Sequence, residues 1–181
     1  MPRAAPIPRL ARPLVPLISW MTAGYIAHHR RRLAAQGTSI PGELLSSFHQ
    51  YFPPAVLAET RIVRATMPEP WLYPLVGRLG IKGLLEMSSI GAITLVDVVA
   101  YPDELDRQTL FHELVHVVQY RVLGLKQFAR LYVTGFLKGG GYEGIPLEQQ
   151  AYELGARFER DPEKVFSVEE DVIRRLDNAL L

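Results

Sequence analysis

The chain has 181 residues, of which 48% are hydrophobic and 22% are charged. This composition excludes a disordered, collagen-like or low-complexity chain, and the length fits one domain, at most with an appendage. The net charge of +1 gives no reason to expect nucleic-acid binding. Because the chain contains no cysteine, disulfides and thiolate metal sites are excluded, and any metal must be bound by His, Asp or Glu.

The first 37 residues differ from the rest in charge and proline content. Residues 1–50 carry six arginines and one acid, Glu43, whereas residues 101–181 carry ten basic and fourteen acidic side chains. We therefore expect residues 1–37 to form a basic, apolar N-terminal segment attached to a domain of residues 38–181.

The apolar stretch 14–27 is followed by two histidines and three arginines, and it has three readings. It is a helix packed on the domain, a helix on a membrane surface with its basic end at lipid phosphates, or a signal peptide. Five prolines argue against a regular helix over residues 1–16, and the stretch is shorter than the roughly 20 residues that span a bilayer. With Pro16 inside it and no clear cleavage site, a packed helix is preferred. A cytoplasmic or membrane-associated location is favoured over a secreted one.

Elements between residues 38 and 85 are predicted to be short, because proline and glycine recur there. The patterns predict a helix over 42–51, a helical turn over 55–60, a strand over 61–65, an irregular helix over 71–87 and a strong strand over 91–101.

A helix over residues 105–122 carries the chemistry that stands out in this sequence. Asp103 and Asp106 offer N-caps for it, and within it lies the sequence HELVH. His112 and His116 are four residues apart, so they lie about 40° from each other on one helix face and both imidazoles can reach one cation. Glu113 lies about 100° away, where it can contact a bound water without acting as a ligand. The alternative is that the two histidines share a face by chance.

A third ligand is required, and without cysteine it must be a carboxylate or another histidine. Glu148 is the best candidate, because it lies in the first turn of a predicted helix that begins at Pro146. Glu143, Glu153 and His49 remain as rivals.

The rest of the chain supplies packing elements. Residues 125–137 are predicted to be a core-facing helix, and residues 162–181 a charged helix that docks through its valines and Leu176. The glycine-rich stretch 139–144 formally matches GxGxxG, but it lacks the βαβ setting of a nucleotide site and is interpreted as a flexible loop near the metal. Together the elements predict a mainly helical α+β domain, with a sheet of about three strands and the HExxH helix behind it.

HELVH, followed by Glu148 in an E-x-x-A setting, resembles the zincin metallopeptidases of the gluzincin branch. The run TLFHELVHVVQY resembles still more closely the small, uncharacterised zincin-like domains of bacteria that carry HELxHVVQ. The resemblance covers about residues 60–160. It departs from the gluzincin pattern at Tyr152, which stands where an Asp often orients a ligand histidine.

The resemblance implies a zinc ion held by His112, His116 and Glu148, with water at the fourth position. Glu113 would be the general base, and a peptide or protein substrate would pair along the strand around Ile93 to Tyr101. Tyr142 or Tyr152 would stabilise the oxyanion, packing being the other role for each.

The function expected from the sequence is therefore zinc-dependent peptide-bond hydrolysis. The alternative is a non-catalytic zincin-like module in which zinc stabilises the fold or an interaction surface. A third reading has residues 1–37 carrying the domain to a membrane surface, and no nucleic-acid partner is expected.

Overall fold

The computed structural model of the protein describes residues 12–69, 91–139, 141–161 and 164–180. The predicted irregular helix over 71–87 lies outside these residues, as does most of the proline-rich start. Six α-helices are described: α1 Val15–Ala34, α2 Gly42–Phe48, α3 Pro54–Glu59, α4 Arg107–Gly139, α5 Pro146–Arg160 and α6 Val168–Leu180. The prediction of a mainly helical α+β fold with a small sheet is confirmed.

The sheet has four strands among the described residues, one more than expected. They are β1 Thr38–Ser39, β2 Arg61–Arg64, β3 Ile93–Leu95 and β4 Val98–Tyr101. Their order is β1-β2-β4-β3, with β2 and β4 parallel and the other pairs antiparallel. β3 therefore lies at one end of the described sheet.

The single strand predicted over 91–101 is wrong, because this stretch forms a hairpin. Leu95 pairs with Val98, so Val96 and Asp97 make a two-residue turn. Val96 has φ 67°, a conformation that β-branched residues rarely adopt, and Asp97 is the one turn-favouring residue inside the apolar run. Arg30 of α1 holds the turn by donating to both carboxylate oxygens of Asp97, at 2.7 and 2.5 Å.

α4 begins at a cap and is divided by a glycine. Asp106 accepts hydrogen bonds from the Thr109 backbone N–H and hydroxyl, both at 2.8 Å, as expected of an N-cap. Gly124 has non-helical angles (φ 72°, ψ 157°) and separates an N-terminal arm, 107–123, from a C-terminal arm, 125–139. These arms correspond to the helices predicted over 105–122 and 125–137.

The N-terminal arm of α4 lies between two hydrophobic clusters. On one side Phe111 stacks on Phe158 of α5, with ring centroids 4.2 Å apart. On the other, Tyr120 stacks on Phe128 of the C-terminal arm at 3.7 Å. Because the arm is covered on both sides, every residue from 110 to 120 except the partly exposed His112 is buried, and every polar group among them is costly unless it is paired.

α1 packs on the domain through one face. Ile26 and Leu33 are buried in the second cluster, with Leu95 and Val98 of the sheet. Pro16 is accommodated because a proline in the first helical turn removes no hydrogen bond. None of the helices within the described residues has the length and apolar character needed to cross a membrane.

Candidate metal centre

HELVH places three ionisable side chains in the buried arm of α4. Glu113 and His116 are only 6% and 5% exposed, and the His112 side chain is partly accessible. Three such groups inside an apolar helix need partners, since burying them unpaired is unfavourable. α5 provides one of these partners.

Glu148 lies in the first turn of α5 and reaches the two histidines. Its Oε2 atom is 3.2 Å from His112 Nε2 and 3.3 Å from His116 Nε2, and the two Nε2 atoms are 3.1 Å apart. Three donor atoms from two helices therefore converge on one point. Of the described residues, these three form the group able to hold a metal ion.

The spacing of the donor atoms fits a tetrahedral zinc ion. Zinc ligands at about 2.0–2.1 Å stand roughly 3.3–3.4 Å apart along the edges of a tetrahedron. The separations of 3.1, 3.2 and 3.3 Å are close to this value. Two imidazoles and a carboxylate are also the donor types that zinc prefers when no thiolate is available.

Gln119 fixes the orientation of His116. The Nδ1 atom of His116 lies 2.8 Å from Gln119 Oε1, and the Gln119 amide nitrogen donates to the Leu147 carbonyl at 3.0 Å. Since this assigns the acceptor oxygen to the side facing His116, Nδ1 carries the proton. In neutral His116 the Nε2 lone pair therefore faces Glu148, where three electron-rich atoms meet and only a cation or a proton relieves their repulsion.

The charges of the cluster are coupled in the metal-free protein. Burial lowers the pKa of His116, but the neighbouring Glu148 and Glu113 carboxylates outweigh it and raise this pKa to about 9. For Glu148, burial raises the pKa, but the charge of His116 and hydrogen bonds from both histidines and Tyr142 bring it well below its usual value. Without a metal, a proton on His116 therefore balances the Glu148 carboxylate.

Glu113 is held beside the cluster and is not part of the donor group. The hydroxyl of Thr94 on β3 lies 2.6 Å from Glu113 Oε2, to which it donates, and 3.1 Å from the Glu113 carbonyl oxygen. The sheet thus holds a carboxylate whose charge acts on His116.

The two tyrosines considered for the oxyanion occupy different environments. The Tyr142 hydroxyl donates to Glu148 Oε2 at 2.6 Å, so it is bonded to a ligand carboxylate. Tyr152 is 57% exposed, and its ring lies 4.6 Å from that of His112 at the accessible side of the cluster.

Tyr132 and Gln119 received no functional role in the sequence analysis. Burial, followed by the charge of the Glu148 carboxylate, raises the pKa of Tyr132 well above its usual value. Tyr132 follows the apolar spacing of the C-terminal arm of α4, so its sequence position indicated only packing. Gln119 lies three residues after His116, and this spacing, which puts two helical side chains on one face, was the available signal.

The rival ligands lie away from the cluster. His49 is exposed and bonds to the Ser46 carbonyl. Glu143 is exposed, and Glu153 forms an ion pair with Arg175 on the surface.

A close approach of backbones positions Glu148. A Cβ atom on Gly135 of α4 would lie 2.6 Å from Cδ of Pro146, the residue that begins α5. Farther along, Gly139 and Gly144 are in backbone contact. The 3-10 turn Tyr142–Gly144 is therefore held close to the end of α4 and beside the site.

Comparisons with protein families, with curated proteins and with solved structures found no match to this chain.

Proposed function

We propose that the protein is a zinc-dependent hydrolase that cleaves peptide bonds. The observation that carries this proposal is the convergence of His112, His116 and Glu148 at 3.1–3.3 Å beside the buried carboxylate of Glu113. Zinc bound by these residues supplies a Lewis acid that activates water near neutral pH.

The chain's own groups then move the protons. Glu113 accepts a proton from the attacking water as the water oxygen bonds to the scissile carbonyl carbon, and it returns the proton to the amine when the C–N bond breaks. The hydrogen bond from Thr94 holds the carboxylate in place during both transfers.

Substrate access is proposed at the side of His112 and Tyr152. His112 is the more accessible of the two histidines, and the exposed Tyr152 ring lies against it. β3 lies at the end of the described sheet, and Thr94 within it contacts Glu113. An extended peptide added along β3 would therefore pass close to the proposed base.

A second candidate is a non-catalytic zinc module. The observations that favour it are the burial of Glu113, His116 and Glu148, and the Tyr142 hydroxyl, which is bonded to Glu148 instead of being directed at an oxyanion. Zinc would then stabilise the packing of α4 on α5 without turnover.

Contact with an anionic membrane surface is proposed in addition, through the outer face of α1. Leu17 and Trp20 are 52% and 72% exposed on this helix, and Arg31 and Arg32 are exposed at its other end. Residues 1–42 contain no acidic side chain. An exposed tryptophan with basic residues on one helix suits the interface between lipid headgroups and acyl chains.

The deciding experiment is the zinc content of the purified protein with His112→Ala and Glu148→Ala alongside. We expect about one zinc per chain in the wild type and a loss in both variants. Glu113→Gln is the matched control, because it should keep zinc while peptide hydrolysis falls by about 10²–10⁴-fold. Absence of zinc after reconstitution would contradict both candidates, whereas zinc without turnover would leave the non-catalytic module.

A further inference from the structure

Gln119 is a fully buried polar side chain between the two helices that carry the candidate ligands. It is 0% exposed, and all its hydrogen-bonding atoms have partners in the protein. Its Oε1 atom lies 2.8 Å from His116 Nδ1. Its amide nitrogen donates at 3.0 Å to the Leu147 carbonyl and to Gln150 Oε1, which lie on either side of Glu148 in α5.

The direction of these hydrogen bonds is determined by two backbone carbonyls. The Leu147 carbonyl can only accept, so the Gln119 amide nitrogen must face it. The Gln150 amide nitrogen donates to the Asp171 carbonyl on α6 at 3.2 Å, which turns Gln150 Oε1 toward Gln119. Gln119 Oε1 is therefore left to accept the Nδ1 proton of His116, in an orientation set by three helices.

We propose that Gln119 is a positioning residue for the metal centre. Its oxygen holds the proton of His116 on Nδ1 and so keeps the Nε2 lone pair directed at the metal position shared with His112 and Glu148. The inference rests on the proposed zinc site and assigns it a partner outside the ligand set. Outer hydrogen bonds of this kind typically contribute about 10–100-fold in metal affinity.

The two ends of the Gln119 side chain are separable by substitution. Gln119→Leu keeps the approximate size and removes both the acceptor and the donors. Gln119→Glu keeps the acceptor facing His116 and loses the donors to Leu147 and Gln150. If Gln119 only joined α4 to α5, the two variants would lose zinc affinity equally, because neither Leu nor an ionised Glu can donate.

The experiment is a competition between the full-length protein and a chromophoric chelator for zinc, with unfolding curves of the metal-free proteins as a check of folding. We expect Gln119→Leu to bind zinc about 10–100-fold more weakly than the wild type, and Gln119→Glu to bind it at least as tightly. Gln150→Leu is the matched control, since it removes a buried amide without touching His116, and its affinity should fall by less than about tenfold.

The outcomes separate this inference from the proposed function. A wild type that binds zinc, with unchanged affinity in Gln119→Leu, overturns the positioning role and leaves the zinc site intact. Equal weakening in Gln119→Leu and Gln119→Glu overturns it as well. If Gln119→Leu fails to fold, Gln119→Glu decides alone: affinity at or above that of the wild type supports the role, and weaker binding contradicts it. A wild type without affinity for zinc contradicts both the role and the proposed function.

Discussion

The hydroxyl of Thr94 and the carboxylate of Glu113 are joined by a hydrogen bond of 2.6 Å, and both residues are buried. Thr94 belongs to β3 and Glu113 to α4, so this contact connects the sheet to the HExxH helix. Tyr120 of α4 reaches the Thr94 carbonyl as well, at 3.5 Å. The position of the proposed base therefore depends on a strand that lies outside the HELVH motif, 19 residues before Glu113 in the sequence, but next to it in space.

Replacing Thr94 by Val should weaken both stability and turnover while zinc binding is retained. Val has nearly the shape of Thr but leaves the buried Glu113 carboxylate without its donor, so we expect the free energy of unfolding to fall by about 1–3 kcal/mol. Urea denaturation measures this change, and chelator competition measures zinc. Thr94→Ser keeps a hydroxyl and should behave nearly like the wild type. Equal stability of Thr94→Val and the wild type would show that the hydrogen bond does not hold Glu113.

Zinc affinity should rise with pH between about 7 and 9. The pKa of His116 is raised to about 9 in the metal-free protein, so a proton must leave this imidazole before the metal binds. We expect about one proton released per zinc at pH 7, and an affinity that rises about tenfold per pH unit and levels off above pH 9. Calorimetry in buffers of different ionisation enthalpy counts the protons. Proton-independent binding would contradict the paired state of His116 and Glu148.

The stability of the metal-free protein should follow the opposite course. The pKa of His116 is about 9 in the folded protein and 6.5 in the unfolded chain. Its contribution to the free energy of unfolding is therefore complete below pH 6.5 and is lost as the pH rises through about 9. The pKa of Glu148 lies below its unfolded value of 4.5, so its contribution is lost as the pH falls below that value. Considering these two groups, the midpoint temperature of thermal unfolding of the metal-free protein should be highest between about pH 4.5 and 6.5. The pH of this maximum should shift upward when zinc is bound, because zinc binds more tightly at higher pH.

Gly135→Ala should destabilise the protein and weaken zinc binding. The new Cβ atom would lie 2.6 Å from Cδ of Pro146 and 3.2 Å from Cα of Ile145, so the start of α5 and with it Glu148 must shift. We expect a loss of about 1–3 kcal/mol in the free energy of unfolding. Gly155→Ala on α5 is the matched control: its Cβ meets nothing within 4 Å, and it should stabilise by up to about 1 kcal/mol. If both substitutions stabilise equally, the close approach does not restrict this position.

Binding to vesicles that contain phosphatidylserine should depend on salt and on α1. Each arginine near such a surface contributes about 1 kcal/mol, so reversing Arg31 and Arg32 to Glu should weaken binding by about 30-fold or more. Trp20→Ala should weaken it further. The double reversal of Lys126 and Arg130, which are exposed on α4, is the matched control and should have a smaller effect. Equal loss in both double variants, or no binding by the wild type, would contradict a membrane face on α1.

Local sequence patterns were sufficient to predict several secondary-structure elements. The strand predicted over 61–65 from its alternation is observed at Arg61–Arg64, and Asp106, one of the cap candidates before the apolar run, is the N-cap of α4. The hairpin at Val96 was missed, because a single Asp among β-branched residues is a weak turn signal and the turn is held by Arg30, which lies 67 positions before its partner Asp97. Tertiary contacts of this kind override local propensity.

The sequence by itself determined the spacing of His112, Glu113 and His116, since helical periodicity alone puts two imidazoles on one face. It also limited any metal ligands to His, Asp and Glu. Only the tertiary structure decided which side chain joins these imidazoles. Glu148 and its rivals lie elsewhere in the sequence, and the position of Glu148 depends on how α5 packs against Gly135. The partners of Glu113 and His116, Thr94 and Gln119, were decided in the same way. Hydrogen bonds between buried side chains depend on where separate elements meet, and that is determined by the packing of the whole core.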